Sequence, residues 1–411
     1  MMEEINDRGR RRFLAATGAL SAAALWPAHA ADSNATPPAT LLPRGLIHLN
    51  TASLGATSPA VLERVLEAWH ELESSPVLQA YRREDTVVAR ADAVRGRAAA
   101  LLGCSADEIL ITRSTTEGMN LVALGLRWRA GDRVLTTDQE HDGGSAGWRH
   151  LERRHGIGLD RIAIAPDEHD PAALVQRFAD AIGPRTCVIS VSHVITSTGL
   201  RMPVAALSAL ARERGLLCVV DGAQAAGGIA VDVKALGCHA YATSGHKWLM
   251  GPKGTGLLYV SRDADDRIQP VSWELDRDYG GGSMGVGPMP LALGLGVAID
   301  ALLALGMDAV ERHDLGLRNR AWRGLRAIEG IDVLSAPPGP LATPLVSCRL
   351  PDAIDSRAVQ EAMRTRHGIL VKMVEKQWFN GIRLSPHLIN TASDIDAALA
   401  ALRTELGRAP A

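Results

Sequence analysis

Short apolar runs rich in β-branched residues alternate with longer amphipathic stretches along the middle of this chain. The short runs predict strands at Ile109–Thr112, Arg133–Thr137, Ile162–Ala165, Cys187–Val191 and Leu216–Val220. The longer stretches predict helices at Glu117–Leu126, Pro171–Ala181, Val204–Arg214, Leu291–Leu305 and Ile395–Leu406. Strands that alternate with helices are typical of an α/β fold with a mainly parallel sheet covered on both faces. Such sheets bind ligands at the carboxyl ends of their strands, so the loops there are the candidates for function.

The alternating pattern ends at a glycine-rich stretch, Tyr279–Pro288, and a second section with a Pro-rich turn follows it. We therefore predict a large domain over residues 61–300. Residues 44–60 and 301–411 are predicted to form a smaller α/β domain. Residues 31–43 are rich in Ala, Pro, Thr and Asn and are predicted to be an extended linker.

The N-terminus has the composition of a targeting segment. Arg10, Arg11 and Arg12 precede an apolar stretch that runs to Trp26, and the small-x-small sequence Ala28-His29-Ala30 follows. This order resembles a twin-arginine export signal over residues 1–30. We expect a periplasmic protein that uses the twin-arginine translocase, and the apolar run is too short for a stable membrane anchor. An uncleaved amphipathic or disordered leader is the alternative.

Composition narrows the kinds of partner. The chain of 411 residues has 46% hydrophobic and 22% charged residues, as ordinary globular proteins do, and its net charge of −2 indicates no nucleic-acid partner. Its five cysteines are widely spaced and form no CxxC pair, so neither a metal site nor a disulfide framework is predicted. Only five residues are lysines, which leaves few candidates for chemistry that needs a primary amine: Lys234, Lys247, Lys253, Lys372 and Lys376.

Two segments carry the strongest chemical signal. In the first, 218–224, an apolar strand ends at Asp221 with Gln224 just beyond it. A carboxylate there can keep a pyridine nitrogen protonated, although Asp after a strand is also a common helix N-cap. In the second, Ser244-Gly-His-Lys247 follows another strand. A lysine whose pKa is depressed by its neighbours forms a Schiff base readily, and Lys253 in the following glycine loop is the rival.

The arrangement Asp-x-x-Gln followed by Ser-x-His-Lys resembles the class V aminotransferase family of fold-type I pyridoxal 5'-phosphate (PLP) enzymes, which includes cysteine desulfurases, kynureninase and isopenicillin N epimerase. The resemblance extends from about Leu46 to the C-terminus. It implies that PLP is the cofactor and that Lys247 holds it. It also implies that Asp221 pairs with the ring nitrogen, that Gln224 approaches the ring hydroxyl, and that Ser244 and His246 bind phosphate.

The same resemblance assigns further cofactor contacts. Thr115 and Thr116 fall in a capping sequence, Ser114-Thr-Thr-Glu117, at a helix start that suits a phosphate. His141 matches the residue that stacks on the ring, although a lone histidine is often structural. His193 matches a position where many relatives have Asn near the ring oxygen, so its role stays open. Ser283 matches a stretch that a partner subunit lends to the phosphate, which implies a homodimer.

Substrate contacts are implied at both ends of the chain. Asn50 lies in a segment that resembles the loop closing over the substrate, and Arg383 in one that resembles the carboxylate-binding segment. A guanidinium suits a bidentate grip on a carboxylate, whereas a surface salt bridge is the alternative for Arg383. These residues together imply a small-molecule or short-peptide substrate of amino-acid type.

The residues that precede Arg383 limit the reactions that this chain is expected to catalyse. Cysteine desulfurases need a nucleophilic cysteine shortly before this arginine, and residues 363–383 contain none. Transamination, epimerisation, decarboxylation and β-elimination, including a C–S lyase reaction, all remain open. Together with the export signal, the chain resembles exported PLP enzymes that tailor the glutamyl end of pyoverdine-type siderophores in the periplasm.

Two other kinds of protein are alternatives. A PLP-binding protein without turnover would need no arginine for a substrate carboxylate, which argues against it. A Rossmann-type nucleotide-binding protein is set aside because no GxGxxG follows the first strand.

Overall fold

The computed structural model describes residues 38–81, 84–269 and 287–407. Its strands in chain order are β1 (Ile47–His48), β2 (Ile109–Thr112), β3 (Arg133–Thr137), β4 (Gly158–Ile162), β5 (Thr186–Ser192), β6 (Leu217–Asp221), β7 (Ala240–Ser244), β8 (Gly256–Val260), β9 (Asp332–Val333), β10 (Val346–Arg349), β11 (Ile369–Leu370), β12 (Lys372–Val374) and β13 (Gly381–Leu384). Its α-helices are α1 (Pro59–Ser74), α2 (Pro76–Ala80), α3 (Val87–Asp92), α4 (Val94–Leu102), α5 (Thr115–Gly125), α6 (Asp142–His155), α7 (Pro171–Ala181), α8 (Val204–Glu213), α9 (Val233–Leu236), α10 (Met289–Leu305), α11 (Met307–Arg326), α12 (Ser356–His367) and α13 (Ala392–Leu406).

The larger sheet of the described residues has seven strands in the order β2-β8-β7-β6-β5-β3-β4. Strands β7, β6, β5, β3 and β4 pair in parallel, and β8 runs antiparallel to both of its neighbours. The predicted α/β fold with a mainly parallel sheet is therefore confirmed, and this sheet has seven strands. Because β8 alone is reversed, the carboxyl ends of the other six strands lie along one edge.

Both faces of this sheet are covered, which explains its nearly continuous apolar strands. On β6, Cys218 and Val220 belong to one core cluster, whereas Leu217 and Val219 belong to another. Helices α7 and α8 pack in the first cluster, and α5 and α6 pack in the second. The sheet is thus the middle layer of three, and its strand ends are fixed by packing from both sides.

One strand was predicted in the wrong place. We expected Ile162–Ala165, but β4 ends at Ile162 and begins at Gly158. Strand β4 lies at the sheet edge, and its residues Asp160 and Arg161 are polar, so it lacks an apolar pattern. Ile164 is buried but lies beyond the end of β4. Its N–H donates to the side chain of Asp138 at 3.0 Å instead of to a neighbouring strand.

A second sheet of the described residues has the order β12-β13-β10-β9, with every pair antiparallel. Helices α11, α12 and α13 share one apolar core cluster with strands β10 and β13. The N-terminal strand β1 pairs in parallel with β11, next to this sheet in the chain. The domain limits given above stay a prediction.

Three predicted features lie outside the described residues: the signal peptide of residues 1–30, most of the linker, and Ser283 within the glycine-rich stretch. In the ranges that are described, no single helix is long and apolar enough to cross a membrane. Helices α10 and α11 meet this requirement of length and composition only as a pair, and they are bent by 83° where they join.

Candidate active site

The candidate site lies where the carboxyl ends of three neighbouring parallel strands meet. Ser192, the last residue of β5, pairs with Asp221, the last residue of β6, and Asp221 pairs with Ala242 of β7. The backbone N–H of His193 also donates to the carbonyl of Asp221 at 2.8 Å. The sequence therefore brings Asp221, His193 and the Ser244–Lys247 segment to one sheet edge, as α/β topology requires.

Asp221 is held rigidly at this edge. Its side chain is 6% exposed, and its Oδ1 accepts a hydrogen bond from the N–H of Ala223 at 2.9 Å. Its Oδ2 faces Gly144 of α6, where an added Cβ would lie only 2.4 Å away, so only glycine fits beside this carboxylate. Asp221 caps a turn rather than a helix, since the next described helix, α9, is capped by Asp232. The alternative of a helix N-cap is not what the structure shows.

Among the described residues, Lys247 is the lysine whose Nζ forms no hydrogen bond or ion pair, although the charge of Asp221 acts on it. The rival Lys253 donates to the carbonyl of Gly55 at 2.8 Å and to Thr57 at 2.7 Å. Each of the remaining lysines pairs with a carboxylate: Lys234 with Glu108, Lys372 with Glu375 and Lys376 with Asp355. Lys247 is thus the amine left available for covalent chemistry.

The surroundings of Lys247 favour its neutral, nucleophilic form. Loss of solvent lowers the pKa of its ammonium group to about 8, and the positive charge of Arg383 acts in the same direction. The negative charge of Asp221 opposes both effects. A lysine with a pKa this close to neutrality has a substantial fraction of free amine at physiological pH, which Schiff-base formation requires.

Hydroxyl groups and a helix start lie next to Lys247. Ser114 caps α5 by accepting from the N–H of Glu117 at 3.2 Å, whereas Glu117 reaches back to Arg113, so the predicted capping box is only half formed. Thr115 Oγ1 lies 2.7 Å from Ser244 Oγ, and both side chains are buried. The Nδ1 of His246 is buried without a partner among the described residues. Hydroxyls, an unpaired imidazole nitrogen and a helix N-terminus suit a phosphate group.

Helix α6 begins close to Lys247 and to Thr116 of α5. His141 is its N-cap, since Nδ1 accepts from the N–H of Gly143 at 3.0 Å, and the residue is exposed. Although the residue is exposed, partial desolvation of its imidazole ring and the charge of Lys247 lower the pKa of His141, so its neutral form is favoured. Thr116 lies close by, because a Cβ on Gly143 would be 2.4 Å from its Oγ1. His141 and Thr116 are therefore both brought to the site.

His193 and Gln224, which were predicted to contact the cofactor, form hydrogen bonds with other residues of the protein. His193 is buried, and its Nδ1 lies 3.0 Å from the hydroxyl of Tyr241. Burial lowers the pKa of His193 to about 3, so this ring is neutral. The amide of Gln224 donates to the carbonyl of Ala52 at 3.0 Å and accepts from the indole N–H of Trp248 at 2.9 Å. Both side chains thus form hydrogen bonds within the protein, and their contacts with a ring oxygen of the cofactor stay predictions.

Arg383 on β13 reaches the site from the second sheet. Its side chain is 4% exposed, and one Nη donates to both the carbonyl and the hydroxyl of Thr196 at 2.8 Å. The other Nη lies 3.3 Å from Ser53 Oγ and 3.5 Å from Asn50 Oδ1, while Nε is buried without a partner among the described residues. No carboxylate pairs with it in the ranges described, so the alternative of a surface salt bridge is not what the structure shows.

Glu140 is a site residue that the sequence analysis passed over. It bridges the ends of β3 and β5, because its carboxylate accepts from Thr137 Oγ1 at 2.8 Å and from Ser192 Oγ at 2.6 Å. Burial raises its pKa to about 7, and the charge of Asp221 adds to that. Its position directly before His141 was the available signal. Thr196, which anchors Arg383, had no signal beyond lying in a polar loop after β5.

With this geometry in place, comparisons with known proteins decide the family. A family model described as aminotransferase class V matches residues 47–398. The chain belongs to this class V family. It is 30% identical over 382 residues to an isopenicillin N epimerase of Streptomyces clavuligerus, covering 88% of this chain and 95% of that protein. It is 31% identical over 384 residues to a probable cysteine desulfurase of Pseudomonas aeruginosa, covering 88% and 94%.

Solved structures agree with the fold. A complex of the cystine C–S lyase C-DES with cysteine persulfide matches with a TM-score of 0.78 and 25% identity, covering 88% of this chain and 98% of that one. An apo cysteine desulfurase of Thermococcus onnurineus matches with a TM-score of 0.75 and 24% identity, covering 88% and 95%. The class V chain therefore has the fold of fold-type I PLP enzymes.

PLP is the cofactor of this class V protein. The residues present fit it, since an unpaired buried His246 Nδ1, paired hydroxyls and the start of α5 lie beside an unpaired lysine and a buried carboxylate. Lys247 would hold the cofactor, Asp221 would face its ring nitrogen, and Thr115, Ser244 and His246 would hold its phosphate. These residue roles are predictions.

The pKa of Lys247 can be tested directly in protein freed of its cofactor. Acetylation of Lys247 by a limiting amount of acetic anhydride should rise with pH around a midpoint near 8, because only the neutral amine reacts. Asp221→Asn should move that midpoint lower, since the lost anion had stabilised the ammonium form. Mass spectrometry of the labelled peptides measures both, with the exposed Lys376 as the internal reference. An unchanged or higher midpoint in the variant would contradict the arrangement.

Proposed function

We propose that this protein is a PLP-dependent enzyme that acts at the α-carbon of an amino-acid-type substrate whose carboxylate binds Arg383. The supporting observation is a buried guanidinium that has only neutral partners among the described residues. Burial lowers the pKa of Arg383 to about 10, and the negative charge of Glu375 offsets this only in part. A bound carboxylate would supply the missing negative charge and could accept the unused N–H of Nε.

The residues of this chain have separate tasks in that scheme. The bound cofactor supplies an electron sink for bonds at the α-carbon of an amino acid. Arg383, with Asn50 and Ser53 beside it, orients the substrate carboxylate. The amine of Lys247 could accept or return a proton at Nζ. Asp221 holds its negative charge at the end of β6, and His141 lies near it at the start of α6.

We also propose that the reaction uses no cysteine nucleophile. Burial raises the pKa of the Cys348 thiol to about 12, and its side chain lies in the apolar core of the second sheet. Cys348 pairs with Ile382, so it lies one residue out of step with Arg383 and faces away from it. Burial likewise raises the pKa of the other four thiols, Cys104, Cys187, Cys218 and Cys238. Sulfide release from L-cysteine that stops in Cys348→Ser would contradict this proposal.

The remaining reactions are epimerisation, transamination, decarboxylation and C–S lysis. The similarity to an isopenicillin N epimerase favours epimerisation, and the similarity to the C–S lyase C-DES favours lysis. All of them act on an amino-acid-type substrate whose carboxylate Arg383 would hold and whose cofactor Lys247 would carry, so the residues described above would serve each one. A role in binding PLP without turnover is disfavoured, because it would leave the buried Arg383 without a ligand.

We further propose that the enzyme is exported by the twin-arginine translocase and works in the periplasm as a homodimer, with Ser283 lent to the partner's phosphate site. The support is the sequence of residues 1–30 and the family resemblance. An exported enzyme of this family would meet substrates that are finished outside the cytoplasm. The glutamyl end of a pyoverdine-type siderophore is the proposed substrate, because a chain of this family with an export signal resembles exported PLP enzymes that tailor it.

Arg383→Lys tests the carboxylate site. We expect the spectrum of the bound cofactor to stay unchanged while KM rises by roughly one to two orders of magnitude, because lysine keeps the charge but loses the two-pronged grip. Arg320→Lys is the matched control, since Arg320 forms an exposed ion pair with Asp396 at 2.6 Å. Steady-state kinetics with a panel of amino acids gives the measurement. An equal, small change in both variants would mean that Arg383 does not bind the substrate.

Replacing Arg10 and Arg11 with Lys tests the location. Cell fractionation should then find the protein in the cytoplasm with PLP still bound, because the twin-arginine route carries folded proteins. Mass spectrometry of periplasmic metabolites should show the same accumulated siderophore precursor in this strain as in a deletion strain. Normal export of the double variant would refute the location, and an unchanged metabolite profile in the deletion strain would refute the substrate.

A further inference from the structure

A completely buried histidine and aspartate lie directly behind Lys247. His387, just after β13, and Asp314, on α11, are both 0% exposed. The Nδ1 of His387 lies 2.6 Å from Asp314 Oδ2, and its Nε2 lies 2.9 Å from the backbone carbonyl of Trp248. Trp248 is the residue that follows Lys247, so this pair contacts the backbone that carries the reactive amine.

The pair fixes which nitrogen of the ring carries a hydrogen. A carbonyl oxygen can only accept, so the 2.9 Å contact requires a hydrogen on Nε2. Asp314 Oδ2 forms a hydrogen bond with Nδ1, and this bond is made whether the proton between them lies on the ring or on the carboxyl group. In both cases Nε2–H points at the carbonyl of Trp248. Asp314 therefore holds His387 in the form that donates to the Lys247 loop.

The Lys247 loop needs such support, because its backbone is strained. Met250 has a φ of 53°, in the left-handed region that a residue with a side chain rarely adopts. This conformation closes a turn in which Met250 N–H donates to the carbonyl of Lys247 at 3.0 Å. A strained turn at a functional site persists only where surrounding contacts determine it.

Those contacts hold residue 248 from two sides. Its indole N–H donates to Gln224 at 2.9 Å, while its carbonyl accepts from His387, whose ring packs edge-on against the indole at 5.4 Å between centroids. On the other side of Lys247, the N–H of Gly55 donates to the carbonyl of His246 at 2.8 Å. A Cβ on Gly55 would come within 2.1 Å of the Lys247 carbonyl, so this contact is also close.

We infer that His387, oriented by Asp314, is a positioning residue that holds the backbone of Lys247 and so sets where its amine meets the cofactor. His387 lies four residues after Arg383 on the same segment. That segment thereby contacts the base of the reactive lysine and carries the proposed substrate clamp. The inference rests on the proposed role of Lys247, but it does not depend on which substrate Arg383 binds.

Two substitutions of His387 test its two hydrogen bonds separately, the one with Asp314 and the one with the Trp248 carbonyl. In His387→Gln, the amide nitrogen occupies the place of Nε2 and can still donate to the Trp248 carbonyl. In His387→Asn, the amide reaches only the place of Nδ1, so the bond to Asp314 is kept and the bond to Trp248 is lost. The readout is the pH titration of the absorbance of lysine-linked cofactor in the purified holoenzyme. Its midpoint reports the environment of the Lys247 nitrogen, and it must disappear in Lys247→Ala.

We expect His387→Asn to shift this midpoint by about half a pH unit or more, while His387→Gln stays close to the unsubstituted protein. The matched control is His239→Gln. His239 is also buried and bonded to backbone, with Nδ1 accepting from Cys218 N–H at 2.9 Å, but it lies at the amino end of β7. This control should lower the melting temperature and leave the titration unchanged.

A double variant, His387→Leu with Asp314→Leu, separates positioning from stability. Replacing both partners of a buried hydrogen bond by apolar residues is often nearly neutral for stability, so this variant should fold even if His387→Asn does not. We expect its titration midpoint to shift as in His387→Asn. An unchanged midpoint in the double variant, or equal shifts in His387→Asn and His387→Gln, would overturn the inference. Persistence of the titration in Lys247→Ala would instead overturn the proposed role of Lys247.

Discussion

The site depends on two positively charged side chains, Lys247 and Arg383, whose charge nearby carboxylates compensate only in part. Arg383 has neutral hydrogen-bond partners, and Lys247 has none among the described residues. Desolvation lowers the pKa of each, and the charge of Arg383 lowers the pKa of Lys247 further. A substrate carboxylate at Arg383 and the carbonyl carbon of the cofactor at Lys247 would relieve both costs. Asp221 supplies a fixed negative charge, which raises the pKa of Lys247 and so opposes the effects of desolvation and of Arg383.

The fold explains why these groups meet. A parallel sheet covered on both faces places the ends of β5, β6 and β7 side by side, so Asp221 and Lys247 come to the same sheet edge although they lie in separate segments of the chain. The second sheet then adds Arg383 through one strand, β13, and His387 just after it. Residues 50–55 complete the cleft, since Asn50 lies near Arg383 and Gly55 rests against the Lys247 turn.

Much of this could be predicted from sequence, but not all of it. The strands ending at Thr112 and Thr137 were placed correctly, because both consist mainly of buried residues with a distinctive apolar pattern, although β2 is an edge strand. Edge strand β4 was misplaced, since its polar residues Asp160 and Arg161 interrupt such a pattern. Lys247 and Asp221 could be found because motifs fix both within short segments. The pair of His387 and Asp314 could not, because the two residues are 73 positions apart and meet only through tertiary packing. The partners of Gln224 and His193 were hidden for the same reason.

The central claim is that Lys247, and no other lysine, carries the cofactor. Reduction of the PLP-loaded protein with borohydride, followed by proteolysis and mass spectrometry, tests it most directly, because reduction makes the link to the lysine permanent. The account predicts a pyridoxyl label on the peptide that contains Lys247 and none on the other four lysines. A label on Lys253, whose amine is bonded to Gly55 and Thr57 in the structure, would contradict it.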